Sequence, residues 1–347
     1  MLRNTYNICH LCCDKHGISE ICGQKTMARR TYFERFFARL YEVSMKKIAY
    51  AVTLFILCIS LGACSGSKPE QQTISRQSFE SAKVSYLGPE GTYTQEACEK
   101  YFDGQGSYLP YKTVAEAVDA LVNGDSDYAV IPQENTVGGA VIDYIDTLIA
   151  QTEVSVTGEV ELPIDQNLLV LPGAALTDIK TVYSHKQGIA QGKAWLAENI
   201  PGAQVVEVSS TAEGARMVSE ENDSSCAAIA SAGCAKVYGL DILAAGIQMN
   251  DKNKTRFYVL SLDEPDTVQS DRLAFIASGV ASGLPSLMSE IKAKGITLIA
   301  IHDRPLKTEL GEYSYVIECS DGNFEDCKRL TEKSGFGFRW LGSFDVR

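Results

Sequence analysis

The alternation of apolar and polar positions from residue 83 to residue 264 predicts short strands separated by amphipathic helices. Apolar, β-branched runs predict strands at Lys83–Leu87, Tyr128–Ile131, Lys180–Tyr183, Gln204–Val208 and Ala227–Ala230. Helical spacing predicts helices at Thr92–Phe102, Thr113–Val122, Val141–Ala150, Gln187–Glu198 and Thr211–Glu220. Strands that alternate with helices are typical of parallel α/β sheets. A run of this length predicts two α/β lobes with a cleft between them.

The pattern changes after Pro265. The next elements are predicted to be a strand, a helix, two strands, a helix and a strand, at Arg272–Ser278, Leu284–Lys294, Ile296–Ile301, Tyr313–Cys319, Asn323–Lys333 and Phe338–Phe344. This βαββαβ order is that of a ferredoxin-like unit. We therefore predict a separate domain over residues 270–347, behind a two-lobed domain over residues 83–264.

A short apolar segment precedes both domains. Two lysines follow Met45, an apolar run covers residues 48–61, and Leu-Gly-Ala then leads to Cys64. A basic start, a short apolar core and small residues are the parts of a secretory signal peptide. The core is shorter than the ~20 residues that a transmembrane helix needs. The Leu-Gly-Ala-Cys order resembles the lipobox of bacterial lipoproteins, so we expect residues 45–63 to direct export and Cys64 to be lipidated. An uncut signal anchor, or a cytoplasmic protein whose signal has been misread, is the alternative.

The remaining N-terminal residues are predicted to lie outside the folded domains. Met45 is the expected initiator, so residues 1–44 would be an upstream leader. Cysteines and histidines in this leader have a spacing that fits no standard zinc site, and no metal is expected. Residues 64–82 are rich in Ser, Gln and Lys, which predicts a flexible tether between the lipid anchor and the fold.

The net charge of the chain limits the kinds of binding partner. Removing residues 1–63 removes nine Lys and Arg and four Asp and Glu, which leaves 23 against 40 and a net charge of −17. So acidic a surface argues against nucleic acid or an anionic membrane as the partner.

The folded region holds an odd number of cysteines, which does not predict a disulfide framework. Pairing of Cys319 with Cys327 stays open.

Four loops carry polar groups suited to ligand binding. GPEGTYT begins at Gly88, PQENTVGG at Pro132, SHKQG at Ser184 and NKTRF at Asn253. Loops at the carboxyl ends of parallel strands build the ligand crevice of α/β proteins, and a helix N-terminus that follows such a loop favours an anion. Each segment alone is a weak signal, because strand threonines and single arginines usually have structural roles.

Together, and in this order, the segments resemble the signatures of the prephenate dehydratase family. The matching segments are Gly88–Thr92, Pro132–Thr136, Ser184-His185, Ser210–Ala212, Ala227–Ser231 and Asn253–Phe257. The resemblance extends from Val84 to Arg347. It implies a catalytic domain with two lobes like those of type II periplasmic binding proteins, and a C-terminal ACT regulatory domain. The activity that it implies is decarboxylating dehydration of prephenate to phenylpyruvate in phenylalanine biosynthesis, a reaction that needs no cofactor.

The resemblance also implies roles for individual residues. Thr255 would supply the catalytic hydroxyl, and Arg256 would position charge near it. The implied substrate contacts are Thr92, Glu134, Asn135, Thr136, Ser184, Ser210, Thr211, Asn253 and Phe257. The implied allosteric residues are Ser282, Gly283, Leu284, Asp303, Arg304 and Pro305. The expected assembly is a homodimer or homotetramer with L-phenylalanine as its effector.

Departures from the family pattern leave two other functions open. Thr136 stands where the family usually has Ser, and Lys186 where it often has Pro. In the regulatory unit, Asp303 replaces Ser. One alternative is an arogenate dehydratase, and the other is a catalytically silent, exported ligand-binding protein. The intact sequence Thr-Arg-Phe at residues 255–257 favours an enzyme over a silent receptor.

Overall fold

Three β-sheets organise residues 78–347, the part of the chain that the computed structural model describes. The predicted leader, the signal peptide, Cys64 and most of the predicted tether lie outside these residues. Within residues 78–347, no helix has the length and apolar character needed to span a membrane.

The predicted elements occur in the predicted order, several of them extend beyond the predicted bounds, and the structure adds strands and one helix that were not predicted. In chain order the strands are β1 (Lys83–Leu87), β2 (Ser107–Tyr111), β3 (Tyr128–Asn135), β4 (Gly139–Ala140), β5 (Ser155–Pro163), β6 (Asn167–Val170), β7 (Thr181–Ser184), β8 (Gln204–Glu207), β9 (Cys226–Ala230), β10 (Asp241–Ala244), β11 (Lys254–Ser261), β12 (Arg272–Val280), β13 (Thr297–Pro305), β14 (Glu312–Ser320) and β15 (Gly337–Phe344). The helices are α1 (Tyr93–Tyr101), α2 (Val114–Val122), α3 (Ile142–Ala150), α4 (Lys186–Asn199), α5 (Thr211–Glu221), α6 (Ala232–Tyr238), α7 (Leu284–Ala293) and α8 (Phe324–Lys333).

The first two sheets form two lobes. The first-lobe sheet has the order β2-β1-β3-β11-β5, with β4 paired to β3, and the second-lobe sheet has the order β10-β6-β9-β7-β8. The chain crosses between the lobes after β5 and returns before β11. This arrangement confirms the two predicted α/β lobes.

The prediction of parallel sheets is only partly correct. Strands β1, β2 and β3 are parallel, as are β7, β8 and β9. Strand β11 runs antiparallel to both β3 and β5, and β6 runs antiparallel to β9. The chain enters the second lobe at β6 and returns to the first lobe at β11. Each of these two strands therefore enters its sheet from the other lobe and runs opposite to its neighbours.

The third sheet forms a C-terminal unit, which confirms the predicted ferredoxin-like arrangement. Its order is β13-β14-β12-β15, and all its pairs are antiparallel. Helices α7 and α8 share an apolar cluster with one face of the sheet. On the other face, Ala274, Ile276 and Val316 pack in one apolar cluster with Ile145 and Leu148 of α3. The C-terminal sheet is therefore in direct contact with the first lobe.

The cysteines within residues 78–347 are all buried and free. The open question of a bond between Cys319 and Cys327 is thus answered in the negative. Burial raises the pKa of the Cys327 thiol to about 12, so it is protonated at neutral pH. Both thiols act as small apolar groups in the core of the C-terminal unit.

Candidate active site

A cavity of about 480 Å³ lies between the two lobes. We call it the cleft. Its walls come from both lobes, and its residues include Thr92, Tyr93, Pro132, Asn135, Gln166, His185, Gln187, Gln191, Ser210, Thr211, Thr255 and Phe257. Of the predicted site residues, the structure therefore brings Thr92, Asn135, Ser210, Thr211, Thr255 and Phe257 together in the cleft.

Asn135 fixes the hydrogen bonding of the Thr255 hydroxyl. The Asn135 side-chain oxygen accepts hydrogen bonds from the backbone N–H groups of Val137, at 3.0 Å, and Gly138, at 2.8 Å. Its amide nitrogen must therefore face the other way, and it donates to Thr255 Oγ1 at 2.9 Å. Because Oγ1 accepts this bond, its own proton is free to be donated to a group in the cleft.

Three helices present their N-termini to the cleft. Thr92 precedes α1, His185 precedes α4 and Ser210 precedes α5, and all three residues line the cavity. The first N–H groups of a helix lack intrahelical partners, and the helix dipole makes this end favourable for an anion. Of the described residues that line the cleft, none is Lys, Arg, Asp or Glu. Positive potential in the cleft thus comes mainly from helix ends.

The structure places three predicted substrate contacts outside the lining of the cleft. Ser184 is fully buried and donates to the Ile229 carbonyl at 2.7 Å. Asn253 is 2% exposed, and its side-chain oxygen accepts from Asn135 at 2.8 Å. Thr136 Oγ1 lies 3.2 Å from the same Asn253 oxygen. Asn253 and Thr136 support the first-lobe wall that carries Thr255, whereas Ser184 is bonded within the second-lobe sheet. None of the three lines the cleft.

The structure also places Arg256 and Glu134 on the other face of the sheet. Neighbouring residues of a strand point to opposite faces, so Arg256 points away from the cleft that Thr255 enters. Its guanidinium donates to Glu134 at 2.7 Å and to Glu318 of β14 at 2.6 Å. Burial lowers the pKa of Arg256, but the nearby carboxylates outweigh it and raise the pKa, so the charge is permanent. The expected closeness of the Arg256 charge to the Thr255 hydroxyl is not observed.

The predicted allosteric residues lie at two places in the C-terminal unit. Ser282 and Gly283 form a short turn before Leu284 begins α7, with Gly283 packed against the Phe336 ring. The segment Asp303, Arg304 and Pro305 ends β13.

Arg304 connects this unit to the first lobe. It contacts both carboxylate oxygens of Asp146 on α3, at 2.5 and 2.9 Å. This hydrogen bonding lowers the pKa of Asp146.

Sequence reasoning missed several residues of the cleft. His185, which precedes α4, and Gln187 and Gln191 of α4 line it. Tyr93 and Gln166 line it as well. Burial, followed by the charge of Lys186, lowers the pKa of His185, so a neutral imidazole faces the cleft at neutral pH. The sequence predicts the segment SHKQG as a strand-to-helix loop, but the resemblance points only to its serine as a contact.

Comparison with known proteins shows which family the chain resembles. A family model described as "Prephenate dehydratase" matches residues 84–265. The bifunctional chorismate mutase/prephenate dehydratase of Neisseria gonorrhoeae is 35% identical over 269 residues, which are 75% of this chain and 74% of the relative. The prephenate dehydratase of Bacillus subtilis is 34% identical over 280 residues, which are 76% of this chain and 98% of the relative.

A solved structure extends the likeness to three dimensions. The prephenate dehydratase from Arthrobacter aurescens, in complex with L-Phe, has a TM-score of 0.67 and 27% identity, over 76% of this chain and 89% of that one. The family match covers the two lobes, and the relatives cover three quarters of the chain. The chain therefore belongs to the prephenate dehydratase family.

Proposed function

We propose that this chain is a prephenate dehydratase, which converts prephenate to phenylpyruvate, carbon dioxide and water. The observation that carries the proposal is the Thr255 hydroxyl. It accepts a hydrogen bond from Asn135, so its O–H group is free to donate a hydrogen bond into the cleft. Family membership and the shape of the cleft agree with this role.

The reaction sets clear demands on the site. The carbon–carbon bond to the ring carboxylate breaks and its electrons enter the ring, which releases carbon dioxide. The ring hydroxyl takes up one proton from solvent water and leaves as water. A hydrogen bond to the departing oxygen stabilises the charge that develops there. Thr255 is suited to make that bond, since a threonine hydroxyl is too weak an acid to transfer a proton by itself. Prephenate carries two carboxylates, and the N-termini of α1, α4 and α5 are suited to hold them.

The charge of the cleft favours prephenate over arogenate. Arogenate carries an ammonium where prephenate has a keto group. Within the described residues, the cleft lining offers no carboxylate to pair with an ammonium. Burial of an unpaired charge is unfavourable, because the ion loses its hydration without compensation.

The test is a turnover measurement on the purified full chain. With prephenate we expect phenylpyruvate to form, and with arogenate we expect phenylalanine to form at a kcat/KM lower by about a hundredfold. Equal or better use of arogenate would overturn the substrate assignment. Binding of prephenate by calorimetry without any product would instead support the silent ligand-binding protein.

We further propose that the C-terminal unit is an ACT regulatory domain that responds to L-phenylalanine. The ferredoxin-like order supports this, and the Arthrobacter aurescens relative was solved in complex with L-Phe. Strand β13 is an edge strand, which can pair with a second copy of the chain. We therefore propose a homodimer or homotetramer, and the boundaries 83–264 and 270–347 stay predictions. Light scattering that finds only monomer, with and without phenylalanine, would contradict the assembly.

Export and lipid anchoring at Cys64 also belong to the proposal. The support is the order of the segment: two lysines, a short apolar core and small residues before the cysteine. A fatty-acid probe in cells should label the wild-type protein and fail to label Cys64→Ser. An unlabelled wild-type protein in the cytoplasm would contradict export.

A further inference from the structure

We propose that Glu318 of the C-terminal unit is a positioning residue for the reaction, because it holds the strand pair that carries Thr255 and Asn135. The proposal rests on the proposed function of the cleft. It assigns to the C-terminal sheet a direct part in shaping the catalytic wall.

Glu318 lies at the contact between the two domains. It is 1% exposed and projects from the face of the C-terminal sheet on which Val316 packs against the first lobe. Its Oε1 accepts from Arg256 at 2.6 Å. Its Oε2 accepts from Gln133 at 2.6 Å and from Tyr258 at 2.7 Å. We call these four residues the Glu318 cluster.

The three donors of the cluster flank residues of the cleft wall. Gln133 follows Pro132, and Arg256 and Tyr258 stand on either side of Phe257 in β11. Pro132 and Phe257 both line the cleft. The Glu318 carboxylate therefore binds side chains of both β3 and β11 on the sheet face opposite the cleft. The other face of the same two segments forms the cleft wall.

The pairing of these two strands is irregular at this point. Asn135 lies opposite Thr255 and Glu134 opposite Arg256, but Phe257 lies opposite Pro132. Gln133 is thus an extra residue in β3, and its side chain is bound by Glu318. A bulge interrupts the ladder and changes the direction of neighbouring side chains. The Gln133 backbone carbonyl accepts from the Val141 N–H at 2.9 Å, and Glu318 holds the Gln133 side chain. Glu318 thus restrains the extra residue beside the point where Asn135 meets Thr255.

Glu318→Gln tests this role without a large change in volume. A neutral amide cannot accept three donors as a carboxylate does, so the wall loosens. We expect kcat to fall by about tenfold or more, with KM within about threefold, because displaced catalytic groups cost rate more than binding. Glu332→Gln, at an exposed position on α8, is the matched control and should keep the wild-type kcat. Glu318→Asp retains the charge and should recover part of the loss.

The decisive step is to combine Glu318→Gln with Thr255→Ala. If Glu318 acts through the Thr255 hydroxyl, it has nothing to position in the alanine background, and its effect on kcat there should be under twofold. A general loss of folded protein would lower kcat by the same factor in both backgrounds, which would overturn the proposal.

Hydrogen–deuterium exchange provides a readout that does not depend on activity. Amides of β11 around Thr255 should exchange faster in Glu318→Gln than in Glu332→Gln. Unchanged exchange would refute the positioning role. A wild-type protein that fails to turn over prephenate would refute the proposed function, while the exchange result would still decide the role of Glu318.

Discussion

Glu159 is a buried carboxyl group whose substitution should make the protein more stable at alkaline pH. It lies on β5, is fully buried, and neither of its side-chain oxygens has a hydrogen-bond partner. The nearest guanidinium nitrogen, of Arg256, is 3.6 Å from Oε1. Burial, followed by the negative charge of Glu318, raises the pKa of Glu159 to about 8.

The size and sign of the effect follow from this pKa. In the unfolded chain a glutamate has a pKa of about 4.3, and each pH unit of difference is ~1.36 kcal/mol. Below pH ~4.3 Glu159 is neutral in both the folded and the unfolded protein, and its burial costs no charge. Between pH ~4.3 and about 8 the unfolded chain releases this proton while the folded protein keeps it, so the free energy of unfolding falls as pH rises. Over the whole window the free energy of unfolding falls by roughly 5 kcal/mol through this group. Glu159→Gln does not titrate and should escape this loss.

Urea denaturation at pH 5 and pH 8 measures the prediction. Near pH 5 the free energy of unfolding of Glu159→Gln should exceed that of wild type by only about 1 kcal/mol, and at pH 8 by several kcal/mol, on the order of 4 to 5. Glu153→Gln, at an exposed position before β5, should show no such dependence on pH. A difference between wild type and Glu159→Gln that stays constant from pH 5 to pH 8 would refute the reasoning.

Two further predictions concern the C-terminal unit. Gly342 has φ +144°, and an added Cβ would lie 2.3 Å from the Val156 carbonyl oxygen. Gly342→Ala should therefore lower the free energy of unfolding by about 3 kcal/mol, as measured by urea denaturation. Gly104→Ala, where φ is +73° and the space is open, should lose only about 1 kcal/mol. Because Cys319 and Cys327 are free, reductant should leave the melting temperature unchanged, and a fall of several degrees would reveal a disulfide.

The sequence pattern predicted the elements well where periodicity carries the information. Strands and helices occur in the expected order, and the loops before α1, α4 and α5 do meet at the cleft. Strands β2, β4, β5, β6 and β10 and helix α6 were not predicted. The run Ser-Tyr-Leu-Pro-Tyr of β2 contains a proline, which weakens the strand signal. Proline is tolerated at a sheet edge, and β2 is one of the two edge strands of the first sheet's main path.

Strand direction and side-chain direction explain the remaining differences. The alternation of strands and helices along the chain does not predict that β11 lies between β3 and β5 and runs antiparallel to both. The position of Arg256 was accessible from the sequence, because the two-residue period of a strand already separates it from Thr255. Its partner Glu318 lies 62 positions away along the chain, so only the folded structure shows the contact. A glutamate within the apolar run Tyr-Val-Ile-Glu-Cys was the one local signal of a buried charge.

The most direct test of the account is the kcat for prephenate of wild type, Thr255→Ser and Thr255→Ala. Thr255→Ser keeps the hydroxyl that Asn135 orients, so its kcat should stay within about tenfold of wild type, whereas Thr255→Ala should lose about a hundredfold or more. Both variants should show the wild-type melting temperature within a few degrees. A folded Thr255→Ala protein that forms phenylpyruvate at the wild-type rate would contradict the central claim.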